Sequence, residues 1–153
     1  MDILLRPLAA LLPLHDYSTD LADPPRLSAN PSAAPRGAAL MRALAPLAPA
    51  ELPLPPAAAF AAALAVARRT PGWEVTVEDA GRGCIEGVAT TRLMRFKDDF
   101  AIRVRPSPAA AGGGGSRVDM RSCSRVGVGD MGANAARIRR FLSALRAEAA
   151  PRE

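Results

Sequence analysis

The sequence predicts an α+β fold: a four-stranded antiparallel meander with one face covered by two helices, behind a long irregular N-terminal segment. Three observations carry this. Between residues 73 and 123, apolar and polar residues alternate in four runs separated by turn-forming breaks, which is the period of half-buried strands. Ile138, Phe141, Leu142 and Leu145 then fall at i, i+3, i+4 and i+7, one apolar face of a helix. An alanine-rich run after Pro55-Pro56 supplies the other helix, so the order is helix, four strands, helix, in two layers.

The first helix starts at Pro55-Pro56 because proline suits the first helical turn. Phe60 and Leu64 anchor it, Arg68 and Arg69 favour its negative end, and Thr70-Pro71-Gly72 stops it. Trp73, Val75 and Val77 alternate with Glu74, Thr76 and Glu78, and the chain returns from about Cys84 to Thr91. The segment 92–97 either extends that strand or bulges. Phe100, Ile102 and Val104 mark the third strand, a loop over 106–116 follows, and Arg117 to Cys123 is the fourth. Parity puts Trp73, Val75, Val77, Ile85, Ala89, Phe100, Ile102, Val104, Val118 and Met120 on the helix side. It puts Glu74, Glu78, Glu86, Arg103, Arg105, Arg117, Asp119 and Arg121 on the other.

The stretch 117–145 organises the rest: strand, turn with Gly127, Gly129 and Gly132, and the clearest amphipathic helix, from about Asn134 to Ala147. Residues 1–56 read as an N-terminal extension and Ala/Pro-rich connector, with 15–26 docked on the domain and a short helical turn possible at 38–44. Residues 57–147 form the domain and 148–153 a disordered tail. The apolar run 3–14 is broken by Arg6, Pro7 and Pro13, too short for the ~20 apolar residues of a spanning helix. Asp2 sits where a secretory signal carries positive charge. A cytoplasmic or membrane-peripheral protein is expected.

The chain has 153 residues, 20 Lys+Arg against 15 Asp+Glu, and a formal charge of +5. Its arginines are scattered among acids and aromatics make up 4%, which argues against a nucleic-acid stripe. His15 is the single histidine and Cys84 and Cys123 stand apart, so neither the usual zinc spacing nor a His-based triad is available. The cysteines can pair if they fall on neighbouring strands. No cofactor is implied.

Several blocks resemble the family catalogued as domain of unknown function 1499. They are His15-Asp-Tyr-Ser-Thr-Asp20 with Asp23-Pro-Pro25, Gly72-Trp-Glu-Val75, Ile85-Glu86, Phe96-Lys-Asp-Asp99, Arg103-Val-Arg105, Arg121-Ser-Cys-Ser-Arg-Val-Gly127, and Asp130-Met-Gly-Ala-Asn134 with Arg137-Ile138. The Ala/Pro run departs from the tyrosine-containing segment common in the family. The resemblance implies a bacterial or plastid-type protein, sometimes envelope-associated, and lends no activity.

Among the polar residues, Arg103, Arg121, Ser122, Ser124, Arg125, Asn134 and Arg137 are candidates for an anion site at the strand-to-helix turn. Asp98, Asp99, Asp119 and Asp130 are candidates for a structural network that pairs with those arginines. Three functions follow. A non-catalytic module would bind an anionic small molecule, a lipid headgroup or an envelope protein; a structural envelope domain would use its charges only to fold; a hydrolase would hold a metal ion on the aspartates. The match Gly127-x-Gly129-x-x-Gly132 to a dinucleotide fingerprint lacks the βαβ unit that gives it meaning.

Overall fold

The chain's elements follow the expected order, with two additions. A computed structural model describes residues 15–29, 42–43, 46–108, 114–126 and 130–151. In chain order these hold strands β1 (Asp16–Ser18) and β2 (Ala50–Leu52), helix α1 (Pro56–Arg69), strands β3 (Trp73–Asp79), β4 (Cys84–Thr90), β5 (Lys97–Ser107) and β6 (Gly115–Ser124), and helix α2 (Ala133–Ala149). The expectations for residues 1–14, and most of the expected helical turn at 38–44, lie outside the described residues; so do Gly127 and Gly129.

The sheet has six strands rather than four. The meander β3-β4-β5-β6 is present, every neighbour antiparallel. The two extra strands come from the N-terminal segment and share the far edge of β6: β1 pairs residues 121–123 and β2 pairs residues 116–118. Strands of three residues offer too few alternations to register as a period, and the prolines around β2 hide it further. The β5–β6 ladder also runs deeper into the expected loop, reaching Ser107 opposite Gly115. Segment 92–97 is a turn that re-enters the sheet at Lys97.

One register shift corrects the parity reading. A bulge between Val75 and Val77 sets Val77 opposite Glu86 and Glu78 opposite Ile85. An inserted residue reverses the alternation beyond it, because side chains change face every residue. Val77 therefore joins the outer face, while Glu78 turns to the helix side and meets Arg68 of α1.

Both helices pack on that side. Phe60, Ala63 and Val66 of α1, and Ile138, Phe141, Leu142 and Leu145 of α2, bury against Ile85, Phe100, Ile102, Val118 and Met120. Trp73 bridges the layers, its ring centroid 4.3 Å from Phe100 and 5.7 Å from Phe141. Gly87 is required beneath it: a Cβ there would lie 2.5 Å from the Phe100 ring and 2.3 Å from the Glu74 carbonyl. No described helix is long and apolar enough to cross a membrane. Cys84 and Cys123 lie on β4 and β6 with β5 between them, so they do not fall on neighbouring strands.

Candidate functional site

The sheet divides the predicted site residues: Ser122, Ser124, Asn134 and Arg137 meet under the start of α2, while Arg103, Arg121 and Arg125 pair with carboxylates on the other side. Arg103, Arg121, Asp99 and Asp119 face outward, whereas Ser122 is buried toward α2 and bonded to Asn134. Arginines 121, 125 and 137, expected to surround one anion, instead each hold a different aspartate.

On the outer face the segment after β1 lies across the sheet. Arg121 is 1% exposed and grips Asp16 through two bonds, Nε to Oδ1 at 2.9 Å and Nη2 to Oδ2 at 2.6 Å. Its Nη1 also donates to the Pro25 carbonyl. Leu27 packs on Ala101 and Cys123, and Ser28 donates to Glu86 through both its amide and its hydroxyl. Burial makes this pairing necessary, since a charge removed from water needs both an opposite charge and hydrogen bonds.

Next to it, Asp20, Asp23 and Asp119 meet Arg103, Arg105 and Arg117. Asp119 is fully buried, accepting from Arg105 at 3.1 Å, from Arg117 at 2.9 Å and from the Thr19 hydroxyl at 2.9 Å. Burial alone would raise the Asp20 carboxyl. The Asp23 amide and the Arg105 guanidinium outweigh it and hold the group below the usual carboxylate range. Asp119 likewise raises Arg117. The Nε of Arg103 is buried without a partner. Asp99 accepts from Arg125 at 2.7 Å. As a chemical unit this face is closed: Asp16, Asp20, Asp23, Asp99 and Asp119 already accept from guanidiniums, and Glu86 from Ser28.

A second network sits under the start of α2. Asn134 is fully buried and its side chain accepts from the Ser122 hydroxyl at 2.6 Å while donating to the Ser124 hydroxyl at 2.8 Å and the His15 carbonyl at 3.2 Å. Arg137 reaches Ser122 at 3.0 Å and Asp98 at 2.5 Å. Asp130 caps the helix, accepting from the amides of Gly132 and Asn134, both at 2.8 Å. The Asn134 side chain ties helix to sheet. Gly132 precedes the helix at φ 79°, where a side chain is disfavoured.

What sequence reasoning missed is a cleft of about 550 Å³ between the end of α1, the β3–β4 edge and α2. Trp73, Ala89 and Phe141 give it apolar walls, Thr70, Thr90 and Thr91 line it with threonines, and Arg92, Arg137 and Arg140 bring positive charge, with no carboxylate among its lining residues. Arg137 is already engaged by Asp98. Arg92 and Arg140 are exposed and take part in no salt bridge among the described residues.

Fold and site define a small α+β domain whose N-terminal segment closes one face of the sheet by ion pairing, while the helix side keeps an open cationic cleft. The chain belongs to DUF1499, a family of proteins of unknown function, whose model matches residues 16–145. No curated protein matches it at a significant level. Two solved structures show a distant likeness. The protein TTHA0849 from Thermus thermophilus is 14% identical, with a TM-score of 0.30 over 67% of this chain and 88% of that one. Ara h 8.0201 is 13% identical, with a TM-score of 0.33 over 65% of this chain and 92% of that one. Likeness at this level bears on neither ligand nor activity.

Proposed function

We propose that this domain is a non-catalytic binding module for an amphipathic anion, a small molecule with an apolar body and a carboxylate or phosphate head. The observation that carries the reading is the cleft: apolar walls from Trp73 and Phe141, and arginines at positions 92, 137 and 140 without an acid among the lining residues. Its size lies within the ~300–1,000 Å³ of small-molecule sites, which are mostly apolar with a few placed polar groups. Arg92 and Arg140 would hold the head, since guanidiniums suit oxyanions in a forked geometry. Arg137, fixed by Asp98, would add field more than contact. Of the residues first assigned to an anion site, only Arg137 lines this cleft; Arg103, Arg121 and Arg125 have carboxylate partners elsewhere.

Trp73 is the single tryptophan, so its fluorescence reports the cleft directly. Dodecanoate is expected to shift the emission saturably, with dodecanol at least about tenfold weaker, the factor that ~1.4 kcal/mol of charge recognition produces. Arg92→Gln with Arg140→Gln should erase that preference. Equal response to acid and alcohol, or none up to the solubility limit, overturns the reading. A purely structural domain is the second reading, and its support is the outer face, where the aspartates are held by arginines.

A further inference from the structure

All five exposed large hydrophobic residues among the described residues lie in two loops: Leu93 at 88%, Met94 at 63% and Phe96 at 49% in one, Val126 at 63% and Met131 at 83% in the other. The loops share one end of the sheet. Thr90 pairs Lys97 where β4 turns into β5, Asp98 pairs Ser124 where β6 ends, and the Arg125 amide donates to the Lys97 carbonyl at 3.2 Å. Arg92 and Ala133 line the same cleft, which brings the start of α2 to that end as well.

Cations are interleaved with these side chains: the turn reads Arg92-Leu-Met-Arg-Phe-Lys97, and its residues from Leu93 to Lys97 are all exposed. Of the acids nearby, Asp98 and Asp99 are buried against Arg137 and Arg125. Asp130 accepts from two amides of the α2 start and sets one negative charge against Arg92, Arg95 and Lys97, which leave this end net positive. The end of the sheet therefore presents projecting apolar side chains among net positive charge.

We infer that this end of the domain is a docking surface for an anionic lipid bilayer. Apolar side chains that enter the acyl boundary while lysine and arginine stay at phosphate level are what such a surface requires. Arginine, methionine and phenylalanine also suit protein interfaces, but Lys97 and the alternation of charge with every one or two apolar residues favour the lipid surface, because the buried core of a protein interface is depleted in charge. The surface is independent of the cleft reading: of its residues, Arg92 alone lines the cleft.

The test is co-sedimentation of the full chain with phosphatidylcholine vesicles, with and without phosphatidylglycerol. Binding is expected only with the anionic lipid and should weaken with salt. Leu93→Ser with Met94→Ser should lower the partition coefficient at least about tenfold, the scale of exposing a large aliphatic side chain. Arg95→Gln with Lys97→Gln should lower it by a similar factor at low salt. Neither pair lines the cleft, so the response of Trp73 to dodecanoate without vesicles should be unchanged, separating failure here from failure of the cleft reading. Equal binding to neutral vesicles, no binding to either, or unaltered binding by both double variants overturns the inference. All four side chains are exposed, so the variants should fold, and circular dichroism checks that they do.

Discussion

The two sides of the sheet use arginine in opposite ways. On the outer face Arg121 is 1% exposed and its nitrogens are taken up by Asp16 and a carbonyl, whereas Arg140 on α2 stands in solvent beside an apolar cleft. The first kind of arginine holds the chain together, because withdrawing it strands a buried carboxylate. The second contributes little to folding and is free to meet something else. Burial and pairing, not residue type, separate the two.

Substitution should expose that difference most sharply at Arg121. Arg121→Met leaves Asp16 buried and unpaired, and breaking such a pair costs ~3–5 kcal/mol. Arg140→Met should stay within the ~0.5 kcal/mol of an ordinary surface change. Urea unfolding of both variants measures this, and similar small losses would mean the outer face is not closed.

Asn134→Ala sharpens the comparison on the helix side. It removes the side chain that joins Ser122, Ser124 and the His15 carbonyl to α2. Leaving such buried groups unsatisfied costs ~1–3 kcal/mol, so the same denaturation assay should place it between Arg121→Met and Arg140→Met.

The smallest effect should appear in acid. The folded-state carboxyl of Asp20 is depressed, so its contribution is fully present above the unfolded value near ~3.9 and is lost as pH falls through the lower folded value. Asp20→Asn should therefore destabilise at neutral pH and flatten the fall in stability below about pH 4. A variant whose stability runs parallel to the parent through that window would show that Asp20 is not coupled to the network.

Much of this was legible in the residues. The alternation from Trp73 to Cys123 marked the meander, and the spacing of Ile138, Phe141, Leu142 and Leu145 marked the face α2 buries. Asp119 and Arg121 could be placed on one face by parity alone. The bulge at Val75–Val77 could not, since periodicity carries no sign of an inserted residue until the partner strand is known. Ser122 and Arg125 did not come together for a related reason: they stand three positions apart, near the end of β6, where odd and even positions serve opposite faces. The cleft was invisible because Thr70, Arg92 and Arg140 meet only through the fold, and each alone reads as a surface residue.

The pairing of β1 with β6 also sets an order of events. Arg121 and Asp16 are 105 positions apart, and Thr19 meets Met120 across 101. On the ribosome, the first described strand is made long before the strand that receives it. It can join no sheet until β6 has emerged. Contacts this distant are entropically expensive to close and slow folding. Until closure, the outer edge of β6 would present the unsatisfied backbone groups that β1 and β2 later take up, an open template for another chain. Shortening the chain ahead of Thr19 should therefore show itself first as loss of soluble yield during synthesis.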